Sequence, residues 1–241
     1  MINNLRFQFN YLFSKVFVFS LLAIIIGTFS GIIISSNIDL GYNFLDGFVI
    51  DYRFDYMFQS LLIIEIVSVV VSVFVAGVLG SKNNDYLICY TCNSYYERFI
   101  YFFARIIISI FFSFLFISLV GMFMFLFTRG FTPYRLDRDL VVNALLAVFF
   151  ISVFFSMFTM TLLVLINHFI VVSIPFFVFW YLKTIYDFSE LKSEVQEVLL
   201  KIFPSFIVKG HISYYQDINF YILIFIGMFL FCIIISTIKD Y

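Results

Sequence analysis

The sequence predicts an all-α polytopic membrane protein with six transmembrane helices, and two observations lead there. Of its 241 residues 63% are hydrophobic and only 12% charged, whereas soluble domains run near half apolar and a quarter charged. The apolar residues are also gathered into long runs, and about 20 such residues suffice for a helix to cross the hydrocarbon core. The mean hydropathy of +1.09 agrees. The longest loop, about Lys183–Asn219, is too short for a core of its own. Residues 1–241 therefore read as a single transmembrane domain. A net charge of −1 excludes a nucleic-acid surface, which needs a basic stripe.

In chain order, residues 1–15 place Leu5, Phe9, Leu12 and Phe13 near helical spacing, with Arg6, Gln8, Asn10 and Lys15 among them. That pattern predicts an interfacial helix in the headgroup layer. No small-x-small cleavage site follows Ile24–Ile26, so the run reads as a span and not a signal peptide. The first span, Val16–Ile34, holds Gly27-Thr-Phe-Ser-Gly31, for which close packing within the chain is expected. The acids of the next loop, Asp39, Asp46, Asp51 and Asp55, lack calcium-loop spacing and read as solvated. In the second span, Met57–Leu79, Glu65 is the one acid well inside a predicted span. It reads either as a substrate-path or gating residue or as a neutral, hydrogen-bonded packing residue, because an ionised carboxylate is costly there.

The stretch Gly80–Arg98 is polar, yet Tyr86, Leu87, Ile88, Tyr95 and Tyr96 give it apolar surface. Ser94 is placed to cap a helix that begins at Tyr95 and runs through Glu97, Arg98 and Arg105 into the third span, Ile106–Phe127. Residues 80–98 thus predict a short amphipathic element at the membrane surface, open to a partner. Cys89-Tyr-Thr-Cys92 lacks both the strand–helix context of a redox motif and the further ligands zinc requires. No catalytic residue and no metal ligand is assigned. In the third span and the fourth, Leu140–Ile166, the pairs Ser109/Ser113 and Ser152/Ser156 read as helix-packing chemistry.

Asn167–His168 forms a tight turn into the fifth span, Phe169–Leu182, which Pro175 interrupts and which ends near Trp180. Asp187-Phe-Ser-Glu190 then resembles a capping box. Beyond it Leu191, Val195, Val198, Leu199 and Ile202 share a helical face that stops at Pro204. Residues 183–217 predict an external amphipathic segment, re-entrant against the membrane, before the sixth span, Phe220–Ile238. Arg6 and Lys15 put the N-terminus in the cytoplasm, and an even span count puts the C-terminus there too.

In this order of parts the chain resembles the membrane permease subunit of a type-two ATP-binding-cassette exporter, in the bacterial group of bacteriocin-immunity and peptide or drug exporters. The matching features are the interfacial helix, two spans, an amphipathic cytoplasmic loop, the minimal turn after span four and the external segment before span six. Asp85, Leu87–Cys92 and Arg98 occupy the family's acidic, helical and basic places in the loop, without its usual glycine and proline. The resemblance implies a bacterial cell-membrane protein that forms, with a second permease chain, a path for amphipathic or hydrophobic cargo. It implies docking of a separate ATPase, which holds ATP and magnesium, on Asp85, Tyr86, Leu87, Ile88, Tyr95, Tyr96, Glu97, Arg98, Asn167 and His168. Glu65 would be the lone charge in that path. The chain itself has no G-x-x-x-x-G-K-[ST] phosphate cradle, so no cofactor is expected on it.

Other classes fit less of the sequence. An intramembrane metalloprotease needs H-E-x-x-H, which is lacking, and the two histidines, His168 and His211, are predicted at opposite faces. A self-contained secondary transporter or channel commonly shows internal repeats, and none is evident. A membrane immunity or binding protein without transport is compatible with the same periodicity.

Overall fold

The computed structural model describes residues 2–13, 15–42, 52–80, 94–132, 136, 138–166, 168, 173–187, 207–208, 211–212, 223, 226–231 and 234. The described chain is helical apart from one minimal strand pair. Its elements are α1 (Ile2–Leu12), α2 (Lys15–Tyr42), α3 (Tyr52–Leu79), α4 (Tyr95–Phe131), α5 (Arg138–Ile166), α6 (Ser173–Asp187), β1 (Ile207–Val208) and β2 (His211–Ile212).

Four stretches are long and apolar enough to cross a membrane: Phe17–Ser36, Tyr56–Leu79, Tyr95–Phe131 and Arg138–Ile166. They coincide with the first four predicted spans to within a few residues, except that α4 starts a full three turns earlier. That early start follows from its cap. Ser94 has extended backbone, its side chain accepts from the Glu97 N–H at 3.2 Å, and the Glu97 carboxylate accepts from the Ser94 N–H at 3.3 Å. This reciprocal capping box satisfies two N–H groups that would otherwise lack partners.

The fifth and sixth predicted spans stand differently. α6 has 15 residues, about 22 Å of helix, less than the ~30 Å hydrocarbon core. Pro175 falls in its first turn, where a missing N–H costs nothing, so it does not interrupt the helix. The helix then continues past Trp180 to Asp187. Asp187, expected to open a further amphipathic helix, is instead the last residue of α6; that further helix, residues 191–202, lies outside the described residues. Within 220–238 the described residues, including 226–231, are helical. Within residues 183–217, β1 and β2 pair antiparallel, Ile207 opposite Ile212 and Val208 opposite His211. The β-branched Ile207, Val208 and Ile212 around Lys209-Gly210 favour such a pair over helix.

Helix α3 is the hub, packing against α1, α2, α4, α5, α6 and β1. Two glycines permit close helix approach. A Cβ on Gly121 would lie 2.7 Å from Leu145 Cδ1, and one on Gly80 2.7 Å from Leu163 Cδ1. The expected close packing at Gly27 is not found, since a Cβ there would meet nothing within 4 Å. α1 lies along α4, with Phe7 near Tyr101 and both Phe9 and Phe13 near Phe112. Its buried positions are Gln8 and Leu12, while Phe9 and Phe13 stay partly exposed.

Candidate functional site

Two regions of the described bundle hold its buried charged side chains, Arg105 and Glu65. The first lies where α3 and α5 end. Gly80, Phe102, Arg105, Met160, Leu163 and Val164 line a small cavity of about 10 Å³, close to the least that holds one water. The lining fixes the level of these helices: α3 and α5 finish where α4 has reached Phe102–Arg105. Tyr95–Tyr101 of α4 therefore continue about 10 Å further. At that tip Tyr95 and Tyr96 are 70% and 71% exposed, and the half-buried Arg98 stands over the Tyr95 ring at 5.8 Å. Phe7 of α1 meets Tyr101, and Phe229 meets Phe103, so the tip is braced from two sides.

Arg105 is buried at 2% exposure, with its guanidinium 4.8 Å from the Tyr101 ring centre and 5.0 Å from that of Phe102. Such cation–π contacts contribute about 2 kcal/mol or more when desolvated. They let a fixed charge sit among apolar helices.

The second region lies at the middle of α3. Glu65 is fully buried, nine residues into the Tyr56–Leu79 stretch, some 13 Å from its start. Ser68 and Ser72 follow it at i+3 and i+7, which sets all three on one side of the helix. Ser68 donates to the Glu65 carbonyl oxygen at 2.9 Å, and Ser152 of α5 donates to the Ser68 hydroxyl at 3.0 Å. One turn along α5, Ser156 is hydrogen-bonded to Ser109 of α4. Ser113 in turn donates to the Ser109 carbonyl at 3.0 Å. The serine pairs read from sequence as packing devices thus join three helices through two cross-helix hydrogen bonds.

Of the predicted docking residues, Tyr95, Tyr96 and Glu97 lie exposed at the tip of α4, with Arg98 half-buried beside them. His168 is exposed just beyond α5, whose last turns flank Gly80. Asp85, Tyr86, Leu87, Ile88 and Asn167 lie outside the described residues. Glu65 stands apart from them, fifteen residues before Gly80. Among the described residues no group of three or more His, Cys, Asp or Glu side chains is placed to hold a metal.

Two features escaped the sequence reading. One is the enclosure of Arg105 by aromatic rings, at the end of the bundle where α3 and α5 finish. The other is the pairing of Ser152 with Ser68 on the Glu65 side of α3, for which the i, i+3, i+7 spacing of Glu65, Ser68 and Ser72 was the available signal. Compared with protein-family models and with curated proteins, the sequence matches none. Resemblance to an exporter permease therefore rests on the order of the parts.

Proposed function

We propose that this chain is the transmembrane subunit of an exporter driven by a separate ATPase. The observation that carries the reading is the tip of α4. It outruns α3 and α5, begins at a reciprocal capping box, and leaves Tyr95, Tyr96 and Phe99 exposed where α5 leads to His168. A rigid helix with an aromatic tip transmits a push on that tip along its whole 37 residues. In this reading the four candidate spans are completed by α6 and residues 220–238 to make six. Both termini face the cytoplasm, residues 183–217 return against the outer surface, and a second permease chain completes the path for an amphipathic or hydrophobic cargo. The membrane is that of a bacterial cell.

Affinity purification of the full chain from its native host is expected to recover an ATP-hydrolysing subunit. Tyr95→Asp with Tyr96→Asp should remove that subunit while leaving the helical circular dichroism unchanged. Recovery of wild-type chain without any ATPase, even after cross-linking in the membrane, would refute the proposal. A second reading, a self-contained secondary transporter, is favoured by one observation, the buried Glu65 among serines. Its expected result is cargo uptake by vesicles holding this chain alone, without ATP.

A further inference from the structure

Helix α1 crosses the level at which the bundle ends. Residues 106–128 of α4 carry no charge and hold Arg105 and Arg129 apart, by about 36 Å of helix. That is close to the ~30 Å of a hydrocarbon core, so in a bilayer these two arginines fall in the two headgroup layers. Arg105 and Gly80 line one cavity, which puts the end of α3 at the same level. Phe17 of α2 packs on Phe74 at 5.9 Å and on Phe112 at 5.8 Å. Phe74 comes six residues before Gly80 and Phe112 seven after Arg105, so α2 enters the bundle about 10 Å inside that level. Helix α1 bridges the step. Its Phe9 and Phe13 meet Phe112 at 5.9 and 6.0 Å, while Phe7 meets Tyr101, one turn outside Arg105, at 6.4 Å.

The outward side of α1 is graded to match. Asn3, Arg6, Asn10 and Phe13 recur at steps of three or four and are exposed, polar where α1 rises and aromatic where it dips. Phe9 and Phe13 are 38% and 49% exposed. Arg6 is the one charged residue of α1, and residues 2–36 hold Arg6 and Lys15 but no acid. Arg98 stands three residues before Tyr101 and so on the same side of α4. It adds a second positive charge near the Phe7–Tyr101 contact. Glu97, the acid of that tip, accepts from the Ser94 N–H in the capping box.

We propose that the slope made by α1 against the tip of α4 binds an anionic phospholipid, Arg6 taking the headgroup phosphate and Phe9 and Phe13 the upper acyl chain. Depth and charge select this occupant together. The aromatic rings lie at acyl-chain depth and the arginine at headgroup level, as in helices that rest in a membrane interface. A headgroup of net negative charge is drawn to basic side chains that face no acid on their own helix. A phosphatidylcholine headgroup, neutral overall and ending in a cation, gains little there. Lipid held in this place keeps α1 on α4 through Phe7 and Tyr101 and steadies the tip that outruns the bundle. Such binding needs a bilayer but neither an ATPase nor a cargo.

Electron paramagnetic resonance of chain-labelled lipids, in phosphatidylcholine vesicles holding the full chain, tests this. Spin-labelled phosphatidylglycerol is expected to associate with the protein about fivefold more strongly than spin-labelled phosphatidylcholine. That preference, about 1 kcal/mol, is what one arginine supplies near an anionic headgroup. Arg6→Gln should remove most of it, Arg6→Lys should keep it, and Arg129→Gln, at the other end of α4, should leave it unchanged. Arg6 is exposed, so these variants are expected to fold. Equal association of the two lipids with the wild type would overturn the proposal. So would a preference that survives Arg6→Gln, or one that falls equally with Arg129→Gln. Displacement of the labelled phosphatidylglycerol by millimolar inorganic phosphate at constant ionic strength would assign the site to a soluble anion and overturn it as well.

Discussion

Helices α2 and α3 are each 28 residues long and nearly equal in hydropathy over their candidate spans, yet they stand in different situations. In α2 17% of that stretch is buried within the chain, in α3 61%. Apolar character does not separate them, because hydrocarbon tails are as apolar as leucine and give helices no hydrophobic reason to associate. Their hydroxyls do. On α2, Thr28, Ser30 and Ser36 donate to carbonyls one turn back in the same helix, at 2.7, 2.9 and 2.7 Å. Ser35 of α2 also reaches across, to Ser60 of α3 at 3.3 Å. On α3, Tyr56 is bonded besides to Thr128 of α4 at 3.1 Å and Ser68 accepts from Ser152 of α5, so cross-helix hydroxyl bonds tie α3 to three helices. A hydroxyl bonded across an interface fixes rotation and register, which a bond to its own backbone does not.

The sharpest way to break this contrast is to remove a ring from each side. Phe155 is fully buried, edge-on to Phe179 at 5.4 Å, while Phe19 on α2 is 71% exposed. With lipid as the alternative solvent the transfer term is small. Phe155→Ala should then cost mainly its cavity, roughly 2 kcal/mol at about 24 cal/mol per Å³. Phe19→Ala should stay within about 0.5 kcal/mol. Unfolding by sodium dodecyl sulfate titration measures both, and equal losses would show that α2 is no less packed than the core.

A smaller effect is expected from the glycines. Gly121→Ala should cost about 1 kcal/mol, at the low end of overpacking because a leucine methyl can yield. Gly27→Ala should be neutral or stabilising by up to ~1 kcal/mol, from helix propensity alone. Smallest is the hydroxyl pair: Ser152→Ala should lose about 0.6 kcal/mol, the average for a cross-helix bond in a membrane bundle, and Ser30→Ala nothing measurable. Hydrogen exchange of α3 and α5 amides reads the former, and a null result there would make Ser152 a spacer.

Particular residues show how far the sequence could be read. Ser94 three places before Glu97 announced the start of α4, because a capping box is a local device. Pro175 misled, since the same ring that breaks a helix interior is welcome in the first turn, and only the helix boundary tells which applies. Gly27 and Gly31 advertised close packing, yet Gly31 lies at ordinary contact distance from Ile63 and Gly27 faces open space, while the tightest approaches are at Gly80 and Gly121. A glycine's role depends on what stands opposite it, and that is not written beside it in the chain. Arg105 read as an edge residue and stands at the end of the bundle, but its burial there against Tyr101 and Phe102 is a matter of packing.

By itself the sequence determined that most of this chain is helical, and where its four long apolar helices run. Both follow from composition and capping within a few turns of chain. Tertiary structure alone decided that α3 became the hub and α2 an outer helix, and that Ser68 pairs with Ser152 and Ser156 with Ser109. Helices apolar on every side carry no stripe that marks an inner face, so rotation is set by which hydroxyls, glycines and rings find partners on another helix.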